Sequence, residues 1–347
     1  MFQLEMLPAA YGDCILITYG AESNPWRVLI DAGTNPTWKN SLREHLGPNA
    51  HLDLFVLTHI DADHVAGAIP FLQEGTDITI DDVWFNGWKH LPKNLLSAKQ
   101  GEIFSTLIVQ RDLRWNAAFD GKALAITDAP LPVKTLEGGM RLTLLSPTQK
   151  KLGLLARQWK KEIERHGLTP GSHRRFRQFL ARHPTTSTNV PRLAAMKFRS
   201  DTSKPNGSSI ALLAEYADDE VSVLLAGDAH APVLTHSIGR LLAERGEARL
   251  RLDAFKVSHH GSRGNTNAKL LDQLDCPRYL ISCNGDVHKL PDNETIGRII
   301  HLGGSKPELI FNYHCERTKA WSDKVLKRRY GYSATYGDEG HYQIRLA

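Results

Sequence analysis

The feature that most constrains the fold is a short apolar strand that ends in a cluster of metal-ligand side chains. Leu54–Leu57 is a run of apolar residues, which predicts a buried strand. The apolar segment Val65–Leu72 then predicts the start of a helix. Between the two segments lie four titratable residues within six positions: His59, Asp61, Asp63 and His64. Carboxylates and neutral imidazoles are ordinary metal ligands, and without a partner they are destabilised beside a buried strand. The pattern therefore predicts a metal ion.

Composition excludes several classes of protein. The chain has 347 residues, of which 41% are hydrophobic and 23% are charged, as in ordinary soluble globular proteins. No stretch approaches the roughly 20 apolar residues that a membrane span requires, and the N-terminus lacks a secretory signal. The four cysteines are scattered and form no C-x-x-C pair, which is typical of reduced thiols. We therefore expect a soluble, cytoplasmic protein with no membrane partner.

One segment of the chain is strongly basic. Between Lys150 and Arg199 there are 13 Lys or Arg residues and two acids, a balance of +11. The whole chain carries +5, so the rest carries −6. Periodicity predicts basic helices at Leu152–His166 and Arg174–Arg182, followed by a loop from His183 to Gly207. Such a segment either binds a polyanion or forms a solvated helical face, and charge alone favours neither.

Other polar loops also follow predicted strands. Asp228 comes after the strand Val221–Ala226, and the pair His259-His260 comes after Leu252–Val257. His288 lies in a later loop. Strand ends are where a sheet presents functional side chains, so we expect these loops to converge. Two strand-rich blocks mixed with helices predict a layered α/β or α+β domain.

Five motifs appear in a characteristic order along the chain. They are LIDAG at Leu29–Gly33, THIDADHVAG at Thr58–Gly67, NGSSIALL at Asn206–Leu213, LLAGDA at Leu224–Ala229 and KVSHHGS at Lys256–Ser262. In this order they resemble the metallo-β-lactamase superfamily, in particular the hydrolase domain of ComEC-like competence proteins. The resemblance implies an α+β fold, a four-layer αββα sandwich with a two-metal centre at one edge. It implies one domain over residues 1–347, with a basic, partly helical insert at residues 95–200 that the resemblance does not cover.

The resemblance also implies which residues bind the metals. His59 and Asp61 serve the first ion, Asp63 and His64 serve the second, and Asp228 bridges them. Either His259 or His260 completes the second site, and we favour His259. His288 is similar to a late histidine that acts as a ligand or proton donor, although an ordinary surface-loop role is also open.

The first site departs from the wider superfamily pattern. Asp61 stands where most members have histidine, and no clear histidine occurs between Gly67 and Asp228 to complete the site. Asn206 or Ser208 lies in the region where that ligand is expected. Because the first site is rich in oxygen ligands, the metal expected there shifts from zinc toward manganese or magnesium. For the centre as a whole we expect two divalent ions, Zn²⁺ or Mn²⁺, with Mg²⁺ as a further option.

Further residues are expected to line the pocket or to orient the ligands. Asp31 follows a strand and precedes Ala-Gly, so it either orients a ligand or fixes the turn. The complete set expected beside the ligands is Asp13, Asp31, Asn86, Asn206 and Ser208.

The expected activity is metal-dependent hydrolysis of phosphodiesters in a nucleic acid or a nucleotide. A divalent ion lowers the pKa of bound water from ~15.7 to about 7, which supplies hydroxide at neutral pH. Asp63 and Asp228 would hold the ions and orient the nucleophile, and His288 would protonate the leaving group. Residues 150–199 would contact nucleic acid, a nucleotide or a protein partner. Two alternatives stay open: hydrolysis of a lactone, thioester or amide at the same centre, and a catalytically weak binding or regulatory module.

Overall fold

Two large β-sheets and eleven α-helices make up most of the computed structural model, which describes residues 1–91, 99–164, 189–217, 220–304 and 306–347. The strands are β1 (Phe2–Met6), β2 (Ile15–Ala21), β3 (Asn24–Ile30), β4 (His51–Leu52), β5 (Leu54–Val56), β6 (Thr79–Ile80), β7 (Val83–Trp84), β8 (Val133–Thr135), β9 (Arg141–Ser146), β10 (Ala211–Tyr216), β11 (Val221–Leu225), β12 (Leu250–Arg251), β13 (Ala254–Lys256), β14 (Leu274–Asp275), β15 (Arg278–Ile281), β16 (Glu308–Phe311), β17 (Ser333–Tyr336) and β18 (Tyr342–Arg345).

The helices vary from single turns to four turns. They are α1 (Arg43–Leu46), α2 (Ala62–Val65), α3 (Ala68–Glu74), α4 (Lys99–Gln110), α5 (Gln149–Glu164), α6 (Val190–Ala195), α7 (Lys204–Gly207), α8 (Ala231–Arg245), α9 (Ala268–Asp272), α10 (Asn293–Leu302) and α11 (Lys324–Tyr330). In the described part of the chain, no helix combines the length and apolarity that crossing a bilayer requires.

Each large sheet mixes parallel and antiparallel pairs. The first has six strands in the order β18-β1-β2-β3-β5-β7, and the second has eight in the order β17-β16-β15-β13-β11-β10-β9-β8. The parallel pairs β3–β5 and β11–β13 lie in the middle of their sheets. Because parallel strands end at the same edge, the loops after these four strands are brought to one side of each sheet.

The two sheets pack face to face between layers of helices. The ring of Tyr216 on β10 lies 6.0 Å from Phe2 on β1 and 5.4 Å from Tyr19 on β2, which joins the sheets directly. Along β3, Val28 shares the core between the sheets, whereas Leu29 packs in a second core with residues of α3 and α4. Helix α8 covers the eight-stranded sheet and is linked to β9 by a hydrogen bond. The predicted α+β class with αββα layers is confirmed.

The helix after the first motif begins earlier than the sequence predicted and is broken. We expected a helix over Val65–Leu72, but α2 already begins at Ala62 and α3 begins at Ala68. The break lies where the chain passes the Asp31–Gly33 turn. A Cβ atom on Gly67 would lie 1.9 Å from the carbonyl oxygen of Ala32, so only glycine allows this approach. The early start places Asp63 and His64 on a helix turn that is fixed against the core.

The expected loop over residues 183–207 is wrong for two parts of its described range, whereas residues 196–203 are irregular as expected. Two short helices, α6 and α7, occur there. Asn189 caps α6 by accepting a hydrogen bond from the Arg192 amide, and Ser203 caps α7 by accepting from the Asn206 amide. The Ser, Asn and Pro residues that suggested a loop are helix-start signals here.

The basic region is partly described. Helix α5 covers most of the expected helix Leu152–His166, whereas the expected helix Arg174–Arg182 lies outside the described residues. Within the predicted insert at residues 95–200, β9 pairs with β10 and β8 pairs with β9. That part of the segment therefore belongs to the eight-stranded sheet itself. The assignment of residues 1–347 to a single domain stays a prediction.

Candidate metal centre

Four loops that follow central strands converge on the carboxylate of Asp228. The strand β11 leads to Asp228, and its parallel neighbour β13 leads to the pair His259-His260. In the other sheet, β5 leads to His59 and to helix α2, and β3 leads to Asp31. The predicted convergence of strand-end loops therefore holds across both sheets.

Several atoms of this cluster are buried without a hydrogen-bond partner among the described residues. They are Nε2 of His59, Nε2 of His64, Nε2 of His260 and Oδ1 of Asp228. A buried polar atom without a partner destabilises the fold by roughly 1–3 kcal/mol. Four such atoms in one place indicate a ligand that would satisfy them together.

One half of the cluster, which we call the buried half, contains Asp63, His64 and His260. Asp63 Oδ2 lies 3.2 Å from His260 Nε2 and 3.8 Å from His64 Nε2. The same His64 nitrogen lies 3.5 Å from Asp228 Oδ1. Tetrahedral ligands at ~2.1 Å from an ion are separated by roughly 3.4 Å, so these distances suit a shared ion.

The other half, which we call the open half, contains His59, Asp61 and His259. Asp228 Oδ2 lies 3.6 Å from His59 Nε2 and 3.6 Å from His259 Nε2. His59 Nε2 is also 3.7 Å from Asp61 Oδ2. The side chains of Asp61 and His259 are 39% and 23% exposed, in contrast to the wholly buried imidazoles of His64 and His260. Asp228 faces both halves through its two oxygens, as a bridging ligand does.

The two adjacent histidines belong to different halves. We favoured His259 as the remaining ligand beside Asp63 and His64, but His260 lies there, and His259 lies beside His59. His259, His260 and Gly261 all have positive φ angles, of 49°, 52° and 83°. For residues with a side chain this conformation costs about 1–2 kcal/mol each, and such strain is found at functional sites. The turn directs neighbouring imidazoles to opposite sides of Asp228, and it supplies the open half with the histidine that the sequence seemed to lack.

The imidazoles are oriented by hydrogen bonds to their Nδ1 atoms. Asp31 accepts from His64 Nδ1 at 2.7 Å and from the Thr58 hydroxyl at 2.7 Å. The single proton of the Thr58 hydroxyl goes to Asp31. The Thr58 oxygen therefore accepts a hydrogen bond from His59 Nδ1, which is 3.0 Å away. His260 Nδ1 donates to the Ser282 carbonyl at 2.8 Å. Each of these imidazoles therefore directs Nε2 toward Asp228 or Asp63.

A buried ion pair lies behind His260. Lys256 Nζ donates to Asp13 Oδ2 at 2.8 Å, and both side chains are almost fully buried. Asp13 Oδ1 lies 3.4 Å from His260 Nδ1. One donor atom from each of Asp13, His64, Asp228 and His260 lies within 4.8 Å of the others. Since Lys256 already engages Asp13, we assign Asp13 to positioning His260, in keeping with its expected place beside the ligands.

His259 is held by residues that the sequence did not reveal. Its Nδ1 lies 3.1 Å from Asn265 Oδ1 and 3.5 Å from Asp201 Oδ2. Asp201 also accepts hydrogen bonds from the side-chain amides of Asn206 and Asn265. Asn206 Nδ2 is 3.3 Å from His259 Nδ1, so the expected position of Asn206 near the site agrees with the structure. Thr58 and Lys256 lay within recognised motifs, whereas Asp201 and Asn265 carried no local signal.

Two residues that were expected beside the ligands form hydrogen bonds with backbone groups. Asn86 exchanges two hydrogen bonds with the backbone of Leu124, and Ser208 donates to the carbonyl of Pro205. His288 is exposed and lies at the rim, where its ring makes an edge contact with Tyr11 at 5.8 Å. His288 is near enough to the centre for the charges of Asp63 and His259 to act on its pKa.

Opposed charges shift the pKa values of the cluster. Burial favours neutral forms, but the charges of His259 and His64 outweigh it and hold the pKa of Asp228 well below its usual range. The imidazoles shift the other way: despite burial, nearby carboxylates raise the pKa of His259 to about 9 and that of His260 to about 10. The metal-free centre therefore retains protons that a bound ion would displace.

The donor set fits a pair of divalent ions. The buried half with Asp228 offers two imidazoles and two carboxylates, and so does the open half. All four histidines have Nδ1 engaged and Nε2 directed inward, which is the orientation that a metal-binding imidazole needs. When bound, such ions would supply Lewis acidity and acidify a bound water molecule. The mixture of imidazole and carboxylate ligands suits zinc and manganese.

Comparisons with known proteins give little further guidance. No protein-family model matches the sequence, and no curated protein is significantly similar to it. The chain aligns with a diphosphatase of the PhnP family at 9% identity and a TM-score of 0.42, over 99% of this chain and 97% of that one. It aligns with the short form of human tRNase Z, ELAC1, at 7% identity and a TM-score of 0.41, over 99% of both chains. A flavodiiron protein from Giardia intestinalis gives 9% identity and a TM-score of 0.29, over 95% and 85%. Likenesses at this level carry no argument, so the assignment rests on the residues.

Proposed function

We propose that this protein is a metal-dependent phosphodiesterase acting on nucleic acid. The observation that carries the hydrolase assignment is the set of four buried, unpartnered donor atoms around Asp228 within the described chain. Burying these atoms without a ligand is costly, and metal binding would satisfy all of them. Two divalent ions held by these halves would suit an anionic substrate, because paired ions stabilise negative charge on both the attacking and the leaving oxygen.

Tyr11 and His288 are two neighbouring groups near the centre that can touch a substrate. Burial and the charge of Asp63 raise the pKa of Tyr11, so its hydroxyl keeps its proton and can donate a hydrogen bond to a phosphoryl oxygen. Partial burial lowers the pKa of His288, which leaves the ring neutral at pH 7. A neutral His288 is suited to accepting a proton or a hydrogen bond. Its expected role as proton donor requires that a substrate phosphate first raise its pKa.

A basic cavity supports nucleic acid as the substrate. A surface cavity of about 300 Å³ is lined by Lys197, Arg199, Arg263, Arg298 and Met196, with Glu294 beside them. Arg298 is committed to backbone carbonyls and Arg263 contacts Glu294, whereas Lys197 and Arg199 are exposed. The cavity offers positive charge to a phosphate backbone.

A short stretch of chain links this cavity to the open half. Arg199 is two residues before Asp201, whose carboxylate lies 3.5 Å from His259 Nδ1. The amide of Asp201 donates to the Gly264 carbonyl at 3.0 Å, which fixes the stretch against the loop that follows the histidines. A strand of nucleic acid whose phosphate lies at the centre would thus have further phosphates close to Lys197 and Arg199.

The first experiment tests the reaction class. Protein loaded in turn with Zn²⁺, Mn²⁺ and Mg²⁺ is assayed on a nitrophenyl phosphodiester, on single- and double-stranded DNA, and on a lactone and a thioester. We expect metal-dependent cleavage of the phosphodiester and of DNA. Cleavage of the lactone or thioester alone would replace the proposal with a carbonyl hydrolase. Absence of both turnover and bound metal would favour a binding module.

The second experiment tests the basic cavity. The double variant Lys197→Ala/Arg199→Ala should bind DNA more weakly and lower the slope of log K against log salt by about 2, because roughly 0.9 is lost per phosphate contact. Lys39 and Arg43 line a different surface cavity, so the double variant Lys39→Ala/Arg43→Ala is the matched control and should bind as the parent does. Equal salt slopes in all three proteins would contradict nucleic-acid binding at this cavity.

A further inference from the structure

A second cluster of metal-ligand side chains lies at the junction of the two chain ends. Glu5 lies on β1, His45 near the end of α1, and His341 immediately before β18. Glu5 Oε2 is 3.1 Å from His45 Nε2 and 3.1 Å from His341 Nε2. The cluster shares no residue with the centre around Asp228.

The geometry of this cluster suits a metal ion. Both imidazoles direct Nε2 at the same carboxylate oxygen, and the separations are close to the roughly 3.4 Å expected for neighbouring tetrahedral ligands. The Glu5 side chain is only 5% exposed, whereas His45 and His341 are 30% and 39% exposed. The carboxylate is thus fixed inside the sheet edge, and the imidazoles leave an opening through which an ion and a water molecule can enter.

The Glu5 carboxylate is oriented by its neighbours. Gln3 Nε2 donates to its other oxygen, Oε1, at 2.9 Å, which orients the carboxylate. One carboxylate oxygen is thus held by Gln3, and the other is directed at two imidazoles.

We infer that Glu5, His45 and His341 form a separate binding site for Zn²⁺ or a similar borderline transition metal. Two imidazoles and one carboxylate leave a fourth position for water, which is a common zinc ligand set. The ligands come from the first strand, the first helix and the segment before the last strand. Metal bound here would tie both chain ends to α1, because binding to the native state alone stabilises the fold.

A third group provides a matched control. His51, Asp53 and Asp81 are also close enough to share an ion, but only one imidazole is present and the side chains of His51 and Asp81 are about half exposed. His51 Nδ1 is hydrogen-bonded to Thr79, and Asp53 accepts from the Arg27 amide. With one imidazole in place of two and a solvated Asp81 carboxylate, this group should bind zinc much more weakly.

The test counts zinc ions in the full-length protein. Metal-free parent, His341→Ala and His51→Ala are titrated with Zn²⁺ against a chromophoric chelator, and each protein's fold is checked by circular dichroism. We expect His341→Ala to bind one zinc ion fewer than the parent, and His51→Ala to bind the same number. His341→Cys should restore the lost ion, since thiolate also binds zinc. This difference between parent and variant is independent of how many ions the Asp228 centre holds.

Two further readouts decide the location. Crystals soaked in zinc should show an anomalous peak between Glu5, His45 and His341, and zinc should raise the melting temperature of His341→Ala less than that of the parent. An unchanged zinc count in His341→Ala, or anomalous signal absent from this cluster at full occupancy of the Asp228 centre, would show that the three side chains form only a hydrogen-bonded cluster.

Discussion

The two halves of the metal centre are built from different parts of the fold. In the buried half, the orienting partners are Asp31 at the end of a central strand and the Ser282 carbonyl after β15. In the open half, His259 depends on Asp201 and Asn265, which lie in irregular segments. The imidazoles of His64 and His260 are inaccessible to solvent, whereas His259 is partly exposed.

This difference has a consequence for metal binding. Ligands held by the core lose little conformational entropy when an ion binds, whereas ligands held by loops must be ordered first. We therefore expect the buried half to bind its ion more tightly. The open half adjoins Asp201 and the basic residues before it, so a substrate that orders this segment would also complete the weaker site.

The largest effect should come from removing the ligand that both halves share. Asp228→Asn leaves one neutral oxygen between the halves, so we expect more than a 100-fold loss of hydrolysis, larger than the 10–100-fold typical of outer partners. Elemental analysis should find at least one ion fewer in Asp228→Asn than in the parent protein. Asp81→Asn, which changes an exposed carboxylate outside the centre, is the control. Parent-like metal content in Asp228→Asn would disprove a shared ligand.

A smaller effect should separate the ligands held by the core, which are His64 and, through Thr58, His59, from His259, which is held by loop residues. Asp31→Asn removes the charge that orients His64, and we expect metal affinity to fall by 10–100-fold. Asp201→Asn should lower metal affinity less, on the order of tenfold, because Asn265 still contacts His259. Competition titration with a chelator measures both constants. If Asp201→Asn weakened binding more than Asp31→Asn, the loop rather than the core would be the rigid part of the centre.

Sequence reasoning located the parts of the centre that are built locally. One strand is followed within six positions by four ligand-type residues, His59, Asp61, Asp63 and His64. The strand and the close spacing of these residues were enough to identify them. It placed the wrong histidine of the His259-His260 pair in the buried half, because the direction of each ring depends on consecutive positive φ angles that side-chain identity does not reveal.

Partners that are distant in the sequence could not be predicted either, because only the tertiary structure brings them together. Asp201 is 58 positions from His259 in the chain. Asp201 reaches His259 only because its amide bonds to Gly264 and because α7, capped by Ser203, turns Asn206 toward it. The layers themselves were predictable, since alternating apolar strands and intervening helices leave few ways to bury both faces of two sheets.

The smallest predicted effect concerns the protons of the metal-free centre. The native pKa values of His259 and His260 are about 9 and about 10, above the roughly 6.5 of an unfolded chain. Between these values the native state binds more protons than the unfolded state, so stability must fall as pH rises from about 6.5 to 10. Below pH 6.5 this contribution is fully present. We expect the melting temperature of chelator-treated protein to decrease by a few °C between pH 7 and 9.5.

Bound metal should abolish this dependence, because ligating imidazoles carry no proton at Nε2. The measurement compares melting curves of metal-free and metal-loaded protein at pH 6, 7, 8 and 9.5. His260→Gln removes the imidazole with the higher pKa, so the slope of the metal-free protein should become shallower. His51→Gln, outside the centre, should leave it unchanged. A metal-free protein whose melting temperature rises over this range would mean that the imidazoles of His259 and His260 are already neutral at pH 7.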